Sequence, residues 1–345
     1  MQPMLIFNEG GLDHDPGVQH PERASRLLTL SNFNKRRPDL AERVETLSSQ
    51  TLGERKALRL VHSLDHLSHL HEIDEQGGGM IDGDTVMSSA SYQAALCGVG
   101  AGLAGVEAVR HGAPFAFAVI RPPGHHASVN RSMGFCLLNN VAVAAAVLRD
   151  QGERVLVLDW DAHHGNGTQD IFYEDSRVFY VSLHEYPAFP GTGALHETGR
   201  GEGIGCTMNF PFPSGTGEAV YLEAFDEVLV PVMEQYRPTW ILVSAGYDAH
   251  YADPLTDLGL RSYTFFLLTA RVQELARQHA QGRLVFFLEG GYNLEALAAS
   301  FETTLEALLV HQGEADRRPT GDGRCREGHE VIERVRSLFL SYWDL

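Results

Sequence analysis

Six short apolar runs, none alternating with polar residues, set the first limit on what this 345-residue chain folds into. They are MLIF at 4–7, FAFAVI at 115–120, RVLVLDW at 154–160, RVFYVSL at 177–183, WILVSAG at 240–246 and LVFFLEG at 284–290. A strand with one wet face alternates, whereas a continuous run is covered on both faces, the pattern of a parallel sheet. Helical patterns lie between most of the runs, at about 89–110, 138–151, 218–236, 262–280 and 294–311. Such alternation predicts a layered α/β fold. No repeat, low-complexity tract or linker interrupts it, so one domain over 1–345 is expected. Its core spans about 4–310, followed by a C-terminal extension from about 313. There GEADRRPTGDGRCREGHE reads as a flexible connection to a last short helix. GGG at 77–79, FPGTG at 189–193 and FPFPSGTG at 210–217 read as loops.

The polar residues fall in a pattern on this map. RPPGHHA (121–127) follows the second run, DWDAHHGNG the third, SLHEYPAFPGTG the fourth, AGYDAH the fifth and EGGYN the sixth. Each cluster is placed beyond the C-terminal end of a strand, the edge where open α/β sheets bind ligands. Buried polar groups there need partners. Asp161 and His163 can aim at one point, and Asp248 holds the same kind of position on another strand. Two carboxylates and one imidazole leave an open position, as catalytic zinc requires, and Fe2+ can use the same donors. Asp159 is read as orienting a histidine or holding a structural cation with main-chain carbonyls, helped by Ser182 and Leu183 from the next strand end. His125 and His126, after Pro122 and Pro123, suit proton transfer, with Asp159 and Asn166 as candidate partners for their far nitrogens. A carboxylate partner raises basicity more than an amide does, so the two histidines can differ in protonation. Tyr292 can donate to the oxygen of a tetrahedral intermediate. His164 is expected to pack or hydrogen-bond behind the site.

Composition excludes some classes. The net charge of −18 argues against a nucleic-acid-binding face. No apolar run approaches the ~20 residues of a membrane span, and MQPMLIFNEGG lacks the pattern of a signal peptide. Cys97, Cys136, Cys206 and Cys325 form no CxxC pair, which disfavours a zinc ribbon. Scattered cysteines point to the reducing cytoplasm.

Taken together, HPERASRL (20–27), RPPGHHA, MGFCLLNN (133–140), DWDAHHGNGTQDIFY, YVSLHEYPAFPGTG, SAGYDAHYADPLTDLGL and FLEGGYNL resemble the zinc-dependent histone deacetylase family, which includes acetylpolyamine amidohydrolases and acetoin-utilisation proteins. HHGNG, with Asn166, is similar to its class II branch. The resemblance implies an arginase-like three-layer α/β fold around a mainly parallel sheet. It implies Asp161, His163 and Asp248 as zinc ligands, His125 and His126 as the catalytic pair, Tyr292 as the transition-state tyrosine and Asp159 behind His125. It further implies an inner potassium site from Asp159, Asp161, the His163 carbonyl, Ser182 and the Leu183 carbonyl, and an outer one bordered by Phe172, Asp175 and Val178. Gly134, Phe135 and Phe189 would form the acyl-lysine channel, and Arg23 would stand near an acetate-exit pocket. The implied reaction is metal-assisted amide hydrolysis. In it His126 takes a proton from the attacking water, Tyr292 holds the oxyanion and a protonated histidine releases the amine.

The expected partner is an acylated lysine peptide or a small acyl-amine such as an acetylpolyamine, with no nucleic acid and no membrane. Asp82 and Asp84 in MIDGDTV can grip a substrate at the channel rim or simply cap a loop. An arginase-type ureohydrolase would need more carboxylates for a second metal, and a non-catalytic acyl-binding protein would not need the histidine pair and Tyr292. His62 and His66 in VHSLDHLSHLHE share a helical spacing, but a structural segment explains them better than a metal site. Oligomeric state and acyl-chain preference are left open by the residues.

Overall fold

The computed structural model describes residues 1–309 and 325–345. Among the described residues ten strands form: β1 Met4–Asn8, β2 Glu45–Ser49, β3 Gly78–Met80, β4 Val86–Ser88, β5 Ala116–Val119, β6 Val155–Asp159, β7 Val178–Glu185, β8 Thr207–Phe212, β9 Trp240–Ala245 and β10 Leu284–Leu288. Eight of them make one sheet in the order β2-β1-β5-β10-β9-β6-β7-β8, and every pairing in it is parallel. Helices cover both faces, the arginase-like α/β arrangement that the sequence predicts. β3 and β4 form a separate antiparallel hairpin.

Each of the six apolar runs becomes a strand, and β5, β6, β9 and β10 are buried at every residue. Val, Leu, Ile and Phe dominate them because a strand covered on both faces has no use for polar side chains. The order brings β5, β10, β9, β6 and β7 side by side. Their C-terminal ends therefore lie along one edge, with the chain-distant clusters after β5, β6, β9 and β10 as neighbours.

Several expectations need correction. β7 continues to Glu185, so Ser182 and Leu183 lie inside the strand rather than beyond it. FPFPSGTG begins in strand, since Phe210–Phe212 belong to β8, and Gly78 and Gly79 belong to β3. The predicted helix over 218–236 is interrupted by a wider π-helical turn at Phe225–Leu229. β2 has no apolar run at all, because its ETLSS side chains are mostly exposed at the sheet margin. Ser91–Arg110 is long and apolar enough to cross a membrane, but two thirds of it is buried against the sheet and its neighbours.

Of the C-terminal extension, 310–324 lies outside the described residues. The helix beyond it, Arg326–Phe339, is longer than the short one expected. Ile332, Val335 and Phe339 are fully buried, and the helix packs on β8. Trp343 Nε1 adds a 2.9 Å hydrogen bond to the Gly205 carbonyl. An edge strand is a liability unless something covers it. Phe339→Ala should therefore cost about 3 kcal/mol or more of unfolding free energy, the usual price of emptying a buried aromatic site. Urea denaturation of the two proteins checks this.

Candidate metal centre and its pocket

β6 ends on Asp159, and the turn after it carries Asp161 and His163. Asp248 comes from the loop after β9. His163 Nδ1 lies 3.2 Å from Asp161 Oδ1 and 3.1 Å from Asp248 Oδ2. The ligand atoms of these three residues all fall within 4.8 Å of one another. Gly246 and Gly290 make this approach possible: a Cβ at either would collide with the Asp161 carboxylate, and at Gly290 with that of Asp248 too. Gly290 N–H also donates to Asp161 Oδ2 at 2.7 Å, and Ala162 N–H to Asp248 Oδ1 at 2.9 Å.

Asp159, Asp161, Asp248 and Glu289 are all fully buried. Four carboxylates in one dry volume repel one another, and the neighbouring histidines offset part of that charge. Burial raises the Asp248 carboxyl, Asp161 raises it further, and it reaches about 7. Burial opposes a charge on His163, but its bonds to Asp161 and Asp248 raise it well above the usual histidine range. An imidazolium between two carboxylates supplies the positive charge that a divalent ion would bring. Two carboxylate oxygens and one imidazole nitrogen fit such an ion.

The histidine pair follows β5, with the two rings 4.0 Å apart. His125 Nδ1 donates to Asp159 Oδ2 at 3.0 Å, and its Nε2 is 3.8 Å from Asp161 Oδ1. Burial works against its charge, but Asp161 and Asp159 outweigh that and raise its pKa to about 10. His126 Nδ1 donates to Asn166 Oδ1 at 2.8 Å. An amide brings no charge, so burial and then the neighbouring His125 push His126 well below the usual range. The difference in protonation between the two thus follows from the carboxylate behind one and the amide behind the other.

A pocket of about 220 Å³ opens above these groups. His126, His163 and Tyr292 reach its inner part, and Gly134, Phe135, Phe189, Asp84 and Leu255 complete its lining. Gly134 (φ 53°) and Phe135 (φ 67°) both take the left-handed conformation, unusual for phenylalanine. Phe135 N–H donates to Thr85 Oγ1 at 3.1 Å, and the His20 ring meets the Phe135 ring edge-on at 4.6 Å. Asp82 and Asp84 differ in their surroundings. Asp82 Oδ1 caps the loop by accepting from Asp84 and Thr85 N–H, while Asp84 lines the pocket.

Arg23 is exposed at its place in HPERASRL. Arg26, one turn later on the buried face of Ser25–Ser31, is fully buried. Its guanidinium lies 5.0 Å from the centre of the Tyr292 ring and donates to the Gly291 and Glu289 carbonyls at 2.7 and 2.5 Å. Glu22 binds both Arg26 (3.0 Å) and Arg121 (2.6 Å), a buried ionic cluster that the spacing of HPERASRL did not reveal. Glu289 was also missed, although it sits in the quoted EGGYN; its Oε2 accepts from Gly124 and His125 N–H at 2.7 and 3.2 Å. Tyr180 donates to Asp159 Oδ2 at 3.1 Å.

Ser182 Oγ pairs with His184 Nδ1 at 2.9 Å, and the Leu183 carbonyl accepts from Tyr221 at 3.3 Å. Asp175 pairs with Arg149 at 2.9 Å, with Phe172 buried and Val178 opening β7. His164 bonds Thr192 at 2.7 Å and Gln169 at 3.0 Å, tying the Phe189 loop to the metal turn.

His62 and His66 are structural. His62 Nε2 accepts from Asn139 N–H at 3.0 Å, and its Nδ1 donates to the Ser128 carbonyl at 2.9 Å. Burial, then the His66 charge, lowers His62 to about 3. An unfolded chain protonates His62 near 6.5, so between those values the unfolded state binds more protons and stability rises with pH. The stability His62 contributes above about pH 6.5 is lost progressively as pH falls towards 3. Urea unfolding should therefore show a steeper loss of stability from pH 7 to pH 5 in the wild type than in His62→Gln.

The chain is similar to known proteins over most of its length. The histone deacetylase domain matches residues 20–308. A probable deacetylase of Archaeoglobus fulgidus is 40% identical over 353 residues, covering 98% of each chain. A histone deacetylase-like amidohydrolase of Pseudomonas aeruginosa is 38% identical over 297 residues, covering 84% of this chain and 77% of that one. The crystal structure of the HDA15 HD domain superposes with a TM-score of 0.90 at 32% identity, covering 99% of this chain and 95% of that one. The chain belongs to the histone deacetylase family, and with it to the hydrolases of amide bonds.

Proposed function

We propose that the protein removes acetyl or related acyl groups from lysine side chains of peptides. The observation that carries this is the His126–Asn166 and His125–Asp159 pairing beside the Asp161, His163 and Asp248 cluster, at the inner end of a pocket walled by Phe135 and Phe189. A slim apolar stem fits between two phenyl rings, and the reacting carbonyl then reaches the polar inner end.

Asp161, His163 and Asp248 would hold Zn2+, or Fe2+ in its place. When bound, the ion supplies Lewis-acid polarisation of the acyl carbonyl and activation of water. His126, neutral and with Nδ1 committed to Asn166, presents Nε2 as the base that takes the proton of the attacking water. The Tyr292 hydroxyl donates to the developing oxyanion. Tyr292 is held for this by Asp253, which accepts from its backbone N–H at 2.7 Å, and by Arg26 against its ring. Burial and the nearby Asp248 and Asp161 keep the phenol protonated, despite the opposing Arg26 charge. His125, bracketed by Asp159 and Asp161, holds the proton that goes to the departing amine. Water's oxygen ends on the acyl carbon, the C–N bond breaks and a carboxylic acid and an amine leave.

Asp159, Asp161, Ser182 and the carbonyls of His163 and Leu183 offer only oxygen, including two buried carboxylates, and this set suits a structural K+. We assign Asp84 to the substrate end of the pocket, where its carboxylate meets the backbone of a peptide. Four unpaired cysteines fit a reducing compartment, and on that basis we place the protein in the cytoplasm.

Acetate release tests the reading. With zinc-loaded protein, an acetyl-lysine peptide should turn over faster than N-acetylputrescine. Tyr292→Phe should lower kcat about 10²–10³-fold, the cost of losing one oxyanion donor, with little change in KM. Turnover of N-acetylputrescine alone would move the substrate to polyamines. Removing metal with a chelator should abolish activity, and adding back one equivalent of zinc should restore it.

A further inference from the structure

Besides the two-carboxylate, one-histidine cluster, the described residues bring a second set of metal-ligating side chains together. His125, Cys136 and Glu289 have ligand atoms within 4.8 Å of one another, and all three residues are buried. They come from three segments: the loop after β5, the turn closed by Cys136 N–H to the Met133 carbonyl at 2.9 Å, and the residue after β10.

Each has bonding capacity to spare. His125 Nδ1 is committed to Asp159, which leaves Nε2 to ligate a metal once its proton is displaced. Glu289 Oε2 takes the Gly124 and His125 N–H groups, while Oε1 has only a 3.4 Å contact from Ser244 Oγ. Those partners are N–H groups and a hydroxyl, with no guanidinium or ammonium among them. Cys136 carries a free thiol. Burial holds that thiol well above its ordinary pKa, so it carries a proton that a metal would displace. One sulfur, one imidazole and one carboxylate form a donor set for zinc-like ions rather than for calcium or magnesium. Bonds of about 2.3 Å to sulfur and 2.0–2.1 Å to nitrogen are within reach of donors this close after small side-chain shifts.

We propose that His125, Cys136 and Glu289 form a second metal site for a thiophilic divalent cation, Zn2+ or Cd2+, and that its occupation shuts off turnover by taking His125. Binding converts Cys–SH, the His125 Nε2–H and M2+ into Cys–S–M and N–M bonds and two released protons. The inhibitory half rests on the role given to His125 above; the binding half does not.

Metal-free protein is titrated with Cd2+ and followed by equilibrium dialysis and by ultraviolet thiolate-to-cadmium charge-transfer absorption. The Asp161, His163 and Asp248 cluster contains no sulfur, so the band reports the second site alone. Two ions per chain are expected, with the band growing in with the second. Cys136→Ala and the volume-conserving Cys136→Ser should each keep one ion and lose the band, with thermal unfolding confirming that both are folded. Binding of a single ion in the wild type overturns the site, as does a band that survives in both folded variants. In the acetate-release assay, zinc beyond one equivalent should lower wild-type turnover at least tenfold and leave both variants uninhibited. Equal inhibition of all three proteins overturns the inhibitory role. Absence of any turnover with one zinc bound counts against the deacetylase reading, while the cadmium stoichiometry and band still decide the second site.

Discussion

Charge repulsion among four buried carboxylates is the constraint that the upper half of this structure answers. Asp159, Asp161, Asp248 and Glu289 are fully buried at the ends of three adjacent strands. Removing an ion from water costs several kcal/mol even after relaxation, so such a group survives only with compensation. The chain offers imidazoles, backbone N–H groups and hydroxyls, and it offers them in detail. Asp161 takes N–H from Gly290 and His163, Asp248 from Ala162, and Glu289 from Gly124 and His125. What remains is a strong demand for a cation, which the Asp161, His163 and Asp248 cluster could meet with a metal ion.

The histidine pair shows how little is needed to separate two identical side chains. The rings are 4.0 Å apart and equally buried. A carboxylate behind one and an amide behind the other push their proton affinities in opposite directions. The proton affinity of each is therefore set by second partners on separate parts of the chain, Asp159 at the end of β6 and Asn166 at the start of the next helix.

Much of this was legible because it is local or periodic. The six apolar runs became six central strands, and the closeness of Asp161 to His163 in DAHH could be read from residues only two apart. What escaped reading did so for identifiable reasons. β8 carries Pro211 and lies at the sheet edge, and proline in a strand pattern argues against a strand. β2 is exposed and so lacks the apolar signal. Arg23 and Arg26 sit in the same motif, and only the direction of a short helix decides which of them is buried against Tyr292. Leu255 has no chemistry that would mark it as pocket lining.

The sequence by itself determined the class of fold, the family and the chemistry of the individual groups. Those follow from hydrophobic period and from residue type, which act within a few positions of the chain. Tertiary structure alone decided which groups meet. The order of strands brought β10 between β5 and β9, and with it Glu289 to the backbone of His125 and Gly290 to the Asp161 carboxylate. Contacts between residues more than a hundred positions apart depend on sheet order and strand register, and no local pattern encodes either.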